Sequence, residues 1–300
     1  MQNTDKDQHD TIKCSEETRN ETMREKEPDR CREIEKSIIK RFRKEIWRPF
    51  VKALNEYEMI QEGDQIAVCI SGGKDSMLLA KCMQEILRHG KMEFGLKFLV
   101  MDPGYQEENR KLIHENARIL GIPIHVFETE IFDTVVDVED SPCYLCARMR
   151  RGNLYANARE LGCNKIALGH HFDDVIETIL MSMLYGAQIN TMMPKLHSTN
   201  FQGMELIRPL YLVKEADILA WKEYNQLQFL QCACRFTEES SRRQNEELSK
   251  RKEMKKLIGE FRKTSPYIDM NIFRSVENVN TDACIGYIRR GERHHFLEEY

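Results

Sequence analysis

Three clusters of residues in this chain have the types and spacing to do chemistry. The first is "SGGKDS", Ser71, Gly72, Gly73, Lys74, Asp75 and Ser76, set between the apolar run "QIAVCI" and an amphipathic stretch. Glycines let a backbone approach an anion closely, and a following helix offers unbonded N–H groups and the positive end of its dipole. Lys74 adds a charge, and Ser71 and Ser76 add hydroxyls, a set that suits phosphate or pyrophosphate. The bland alternative is a glycine turn with Asp75 or Ser76 as a helix cap. The loop is neither a Walker A sequence nor the dinucleotide fingerprint, since both need other glycine spacings.

The second cluster is cysteine. Cys143 and Cys146 lie at CxxC spacing in "SPCYLCARMRRG", and "FLQCACRF" adds Cys232 and Cys234. Thiolates so spaced can grip a metal or a cluster edge, and four of them could equally build a structural zinc site. A redox pair at Cys143 and Cys146 lacks a thioredoxin-like setting. Cys69, Cys82 and Cys163 fall on apolar faces and read as core, whereas Cys14, Cys31 and Cys284 have no evident partner in the sequence. The third cluster is "GHHFDDVIE": Gly169, His170 and His171 precede Asp173, Asp174 and Glu177 at the start of a helical stretch. Acids there often serve only the helix dipole, but beside a phosphate site they could carry Mg²⁺ or position a nucleophile.

The elements that must hold these clusters alternate. "QIAVCI" (Gln65–Ile70), "LKFLVM" (Leu96–Met101), "IPIHVF" (Ile122–Phe127) and "KIALG" (Lys165–Gly169) read as strands. Helical spacing covers Met77–Leu87, Glu108–Gly121, Cys146–Leu161 and Asp173–Leu184. This alternation predicts an α/β fold, a parallel sheet with helices on both faces. The first loop then stands at the carboxyl end of a strand, where such sheets bind ligands. Residues 1–32 read as a flexible polar tail, 33–62 as an N-terminal helical segment, 63–236 as the nucleotide- and metal-binding domain, and 237–300 as a charged helical extension.

Composition sets outer bounds. The chain has 300 residues, 41% apolar and 31% charged, with a net charge of −4. Residues 1–36 carry eleven acids and eight bases, net −3, which leaves −1 for the remainder. Basic clusters stand out there, "RFRK" (Arg41–Lys44), "RMRR" (Arg148–Arg151) and "RRGERHH" (Arg289–His295). Each is a solvated face or a local phosphate contact. With neither a long apolar run nor a signal core, a cytoplasmic protein without membrane contact and with reduced thiols is expected.

"SGGKDS" resembles the PP-loop of the ATP pyrophosphatase superfamily, whose fold is adenine nucleotide alpha hydrolase-like and whose members cleave ATP between the α- and β-phosphates to adenylate an oxygen. Taken with "CYLCARMRRGNLY", "KIALGHHFDDVIETILMSMLYG" and "PLYLVKEADI", in this order, the chain resembles the tRNA 2-thiocytidine synthetase family over roughly residues 40–243. The resemblance implies ATP, Mg²⁺ and a [4Fe–4S] cluster held by three cysteines with one iron open. It further implies a tRNA substrate, a sulfur donor such as a cysteine desulfurase, and a possible homodimer. Ser71–Ser76, Gly169 and His170 would then hold ATP, with Lys74, Asp75, Asp173 and Asp174 as catalytic residues. Cys143 and Cys146 would be the first two cluster ligands. The family's Pro-Cys-x-x-Cys element is here "QCAC", so Cys232 and Cys234 compete for the third place, Cys232 being preferred. The C-terminal "SPYIDMNIFRSVENVN" departs from the family's usual ending. The alternatives are a lysidine synthetase-like PP-loop ligase, which does not need Cys143 and Cys146, and a zinc-stabilised nucleotide-binding module without turnover.

Overall fold

The structure, a computed structural model, describes residues 29–129, 142–230, 246–298 and 300. The chain divides into two units, residues 1–172 with 193–245, and residues 173–192 with 246–300.

The first unit is built on a six-stranded sheet of order β3-β2-β1-β4-β6-β5. Its strands are β1 (Gln65–Ile70), β2 (Gly95–Asp102), β3 (Ile124–Glu128), β4 (Lys165–Ala167), β5 (Lys195–His197) and β6 (Glu205–Ile207). All neighbours run parallel except β5, which lies antiparallel on β6 at the edge. β1 is central and fully apolar after Gln65, as a strand covered on both faces must be. The chain leaves β1 through α2 (Lys74–His89) to β2, and β2 through α3 (Glu107–Ile119) to β3. It then crosses back through α4 (Pro142–Glu160) to β4 on the other side of β1. Right-handed crossovers in opposite directions put α2 and α3 on one face and α4 on the other. Ala67 and Cys69 accordingly share a core with Tyr155 and Ala158 of α4, together with Leu99, Cys163, Ile166 and Leu206. The sheet order reverses between β1 and β4, which marks the ligand crevice at their carboxyl ends.

An N-terminal helical run precedes the sheet. Residues 29–36 are α-helical, Ser37–Arg41 and Arg43–Trp47 are two π-helical turns, and α1 spans Arg48–Glu56. Ile34, Ile38, Ile46, Phe50 and Leu54 form its buried face. The helix thus starts within the residues expected to be tail, because residues 29–36 have a docking place. Cys31 also gains partners, with its Sγ 3.2 Å from the Leu120 carbonyl and 3.4 Å from Glu35. Beside it Lys81, fully buried on α2, donates to Glu35 at 2.6 Å, Gln84 at 2.8 Å and the Leu120 carbonyl at 2.8 Å. Cys69, Cys82 and Cys163 are buried as expected, and burial pushes the Cys69 thiol up to about 12. α6 (Glu215–Tyr224) follows the sheet and buries Ile218 and Trp221.

The second unit holds α5 from Asp173 onward (the whole helix is Phe172–Gly186), α7 (Glu246–Thr264), α8 (Ile268–Ser275) and a hairpin of β7 (Gly286–Arg289) and β8 (Glu292–His295). The hairpin is an addition to the helical extension that the sequence predicts. Its turn, Arg290-Gly291, has φ of 53° and 88°, the backbone of a type I′ turn.

Candidate functional site

The loop after β1 is shaped by contacts that only glycine permits. Gly72 has φ +82°, and a Cβ there would lie 2.8 Å from both Ile113 and Leu230 side chains. The Leu230 N–H donates to the Gly72 carbonyl at 3.2 Å, so the segment leading toward Cys232 starts on this loop. Cys232 and Cys234 themselves lie outside the described residues. Ser76 closes the loop internally: its hydroxyl donates to the Gly73 carbonyl at 2.9 Å and accepts from the Ser71 N–H at 3.2 Å. The Ser71 hydroxyl also reaches Ser76 Oγ, at 3.3 Å. Gly73 is the N-cap of α2, without a side-chain cap bond, so neither Asp75 nor Ser76 plays the capping part. What remains is a tight loop opening onto a helix N-terminus, the geometry that favours an anion.

Gly169, on the chain leaving β4, presses on this loop from the adjacent strand. A Cβ at Gly169 would sit 3.0 Å from the Ser76 nitrogen and 3.1 Å from the Asp75 carbonyl carbon. His171 is buried, its Nε2 3.9 Å from Asp75 Oδ1. That Oδ1 is itself buried with no hydrogen-bond partner among the described residues. A buried acceptor left so is costly unless a further group satisfies it. Lys74 Nζ sits between Asp75 Oδ2 at 3.1 Å and Glu215 Oε1 at 3.3 Å. Phosphate oxygens arriving at the loop would exchange these partners for stronger acceptors. Glu215 was not singled out from sequence; its only signal is its place in "VKEADI", where it starts α6.

Asp102 borders the same edge, at the end of β2. Its Oδ1 accepts from the Gly104 N–H at 2.8 Å and the Tyr105 N–H at 2.7 Å, and Arg110 pairs with Oδ2. Burial alone would raise this carboxyl, but the Tyr105, Arg110 and Gly104 hydrogen bonds hold it below the usual range.

Cys143 and Cys146 fall on the first turn of α4, one turn apart on one face, with Pro142 as the first helical residue. The helix begins a turn before the expected Cys146. Arg148 and Arg151 further along α4 are exposed. Asp173 and Asp174, in the second unit, are engaged there with arginines. Arg262 reaches Asp173 at 2.7 Å and Asp269 at 2.8 Å, while Arg251 reaches Asp174 at 3.1 Å and Glu177 at 3.3 Å.

A glycine loop on a helix N-terminus, set at the reversal point of a parallel sheet, defines a nucleotide-binding α/β protein of the PP-loop class. Residues 42–244 match the PP-loop domain family, so the chain is a member of it. A tRNA-cytidine(32) 2-sulfurtransferase from Syntrophotalea carbinolica is 35% identical over 232 residues, 76% of this chain and 86% of that protein. One of the same name from Neisseria meningitidis is 40% identical over 186 residues, 60% of this chain and 57% of that protein. The chain belongs to the tRNA-cytidine(32) 2-sulfurtransferase family. A U34-tRNA thiolase, NcsA from Methanococcus maripaludis, solved with its [4Fe-4S] cluster, shares the fold at a TM-score of 0.62 and 21% identity, covering 81% of this chain and 82% of that one.

Proposed function

We propose that the chain is an ATP-dependent tRNA sulfurtransferase that converts a cytidine of tRNA to 2-thiocytidine. The observation that carries this is the loop: Gly72 and Gly169 leave no room for a side chain, and Asp75 Oδ1 is buried with no hydrogen-bond partner among the described residues. ATP with Mg²⁺ supplies both what the loop lacks, an anion at the helix N-terminus and a cation for the carboxylate.

The cytidine C2 carbonyl oxygen attacks the α-phosphorus, and pyrophosphate leaves. The backbone of Gly72 and Gly73 and the α2 N-terminus hold the phosphates, and Lys74 meets the charge that grows on the departing pyrophosphate. The adenylated oxygen then departs as AMP when sulfide adds to the same carbon and gives up its proton, with any persulfide sulfur first reduced to sulfide by a thiol. A [4Fe–4S] cluster on Cys143, Cys146 and Cys232 would deliver that sulfur. Asp173 and Asp174 take part only if their pairs with Arg262 and Arg251 open. Sulfur from a cysteine desulfurase, a cytoplasmic setting and a homodimer belong to the same reading. No helix among the described residues is long and apolar enough to cross a membrane.

The test is anaerobic purification followed by iron and acid-labile sulfide analysis, then turnover with ATP and unmodified tRNA. Pyrophosphate release and 2-thiocytidine in the digested tRNA are expected. Lys74→Ala should abolish pyrophosphate release, and Cys143→Ala should lose iron and thiolation. Colourless protein holding one zinc, or a Lys74→Ala variant with native turnover, would overturn the proposal.

A further inference from the structure

The outer face of the N-terminal helical run is left unexplained by the fold or by the ATP site. Its inner face packs Ile46, Phe50, Ala53 and Leu54 against the unit. The opposite side carries a groove of roughly 300 Å³ lined by Arg43, Trp47, Arg48, Val51, Lys52 and Asn55. Between residues 40 and 52 stand six cations, Lys40, Arg41, Arg43, Lys44, Arg48 and Lys52, against one acid, Glu45, in a chain whose net charge is −4. Lys52 pairs with Glu56 at 3.3 Å, but Arg43 and Arg48 make no ion pair among the described residues. Trp47 is half-exposed and braced from below by Phe50, ring centroids 5.6 Å apart.

The backbone under the groove is irregular. The Phe42 carbonyl accepts from both the Ile46 N–H at 2.8 Å and the Trp47 N–H at 3.2 Å, and the Phe42 N–H bonds back to Ser37 at 2.8 Å. Successive π-helical turns are rare and occur mostly where a helix does something besides pack. Here they belong to the segment that presents Arg43 and Trp47 on the groove. The surface has the ingredients of a site for unpaired nucleic acid: a braced aromatic face for a base, guanidinium groups for flanking phosphates, and the Asn55 amide to meet a base edge. A hydrophobic peptide would find too many cations here, and a free phosphate would leave the indole unused.

We propose that this groove is an RNA-binding subsite, separate from the ATP loop, that seats one unpaired nucleotide of the tRNA with its base on Trp47 and its phosphates on Arg43 and Arg48. The inference rests on the tRNA reading above and extends it to a named surface. It lies at the strand-start end of the first unit: the run leads to Met59, whose carbonyl is held at 3.1 Å by Lys165, the first residue of β4. The loop is at the opposite, carboxyl ends of the strands, and tRNA is long enough to touch both.

The chain has two tryptophans, and Trp221 is fully buried, so a ligand in the groove is visible in native emission. Titrating unmodified tRNA into the native chain without ATP should quench part of the tryptophan emission, and tRNA should shield the same part from iodide. Trp47→Phe should lose that response while an anisotropy assay still reports tRNA binding. Arg43→Ala with Arg48→Ala should weaken binding on the order of tenfold and make the plot of log affinity against log salt shallower by about 1.4–1.8. If the native chain binds tRNA with unmoved tryptophan emission, or the double variant keeps native affinity and salt slope, the groove inference is overturned and the proposed function stands. A native chain that binds no tRNA overturns both.

Discussion

Adding one methyl group at Gly169 tests whether the loop's geometry depends on close approach from β4. The new Cβ would stand 3.0 Å from the Ser76 nitrogen, 3.1 Å from the Asp75 carbonyl carbon and 3.2 Å from the Ser76 Cα. All three are backbone atoms at the start of α2, and that start is tied down by the Ser76 hydroxyl bonds to Ser71 and Gly73. The residue cannot swing aside as a long side chain could. Replacing glycine by alanine restricts the unfolded chain and so stabilises by about 0.4–1 kcal/mol. Overpacking against fixed atoms costs about 1–3 kcal/mol, so the net effect is a loss of about 1 kcal/mol. Catalysis should suffer more. A displacement of about 1 Å costs roughly a hundredfold, so a few tenths of an ångström should slow pyrophosphate release roughly tenfold. Gly152→Ala is the matched control: it lies within α4, and its added Cβ meets nothing within 4 Å. That variant should gain about 0.5–1 kcal/mol. Thermal melts and single-turnover pyrophosphate release on both variants decide the matter. A Gly169→Ala protein as stable and as fast as the Gly152→Ala protein would refute the argument.

Glu215→Gln should loosen the hold on Lys74, leaving Asp75 as its one carboxylate contact among the described residues, and tighten ATP binding a few-fold in equilibrium dialysis; weaker binding would mean that Glu215 serves the nucleotide directly. Asp102 has a carboxyl held below its unfolded value of about 3.9, so it stabilises above that pH and its contribution disappears as pH falls through the folded value. Urea melts of Asp102→Asn should therefore show a deficit at neutral pH that closes on acidification, and a pH-independent deficit would contradict the sign. Lys81→Met strands part of a buried ion pair, although Arg88 at 2.8 Å still covers Glu35, so a loss of about 3 kcal/mol in denaturant titration is expected, and a neutral variant would place Lys81 outside the stabilising network.

Strands β1 to β4 were legible because their apolar runs are separated by amphipathic helices. Gln65–Ile70 is β1 in both the expectation and the structure, and Gly90 ends α2 as its position suggests. β5 and β6 were not legible: each is three residues long and begins with a charged residue, and no helix separates the two. The hairpin at Gly286–His295 hides for another reason. Its turn puts Arg290 at φ 53°, a conformation that sequence readers assign to asparagine or glycine, and its strands are rich in charge.

The site divides along the same line. Gly72 and Gly169, where an added Cβ would crowd its neighbours, are visible in sequence because each sits in a short pattern of glycine and polar residues after a strand. Residues that act through long side chains from distant elements are not. Glu215 reaches Lys74 across 141 positions. Arg262 and Arg251 reach Asp173 and Asp174 across 89 and 77 positions, respectively, from a helix that sequence shows only as a run of charge. Charge placement therefore has to be read from packing. Arg251 and Arg262 neutralise buried or half-buried acids, whereas Arg43 and Arg48, with no ion pair among the described residues, flank the half-buried indole of Trp47.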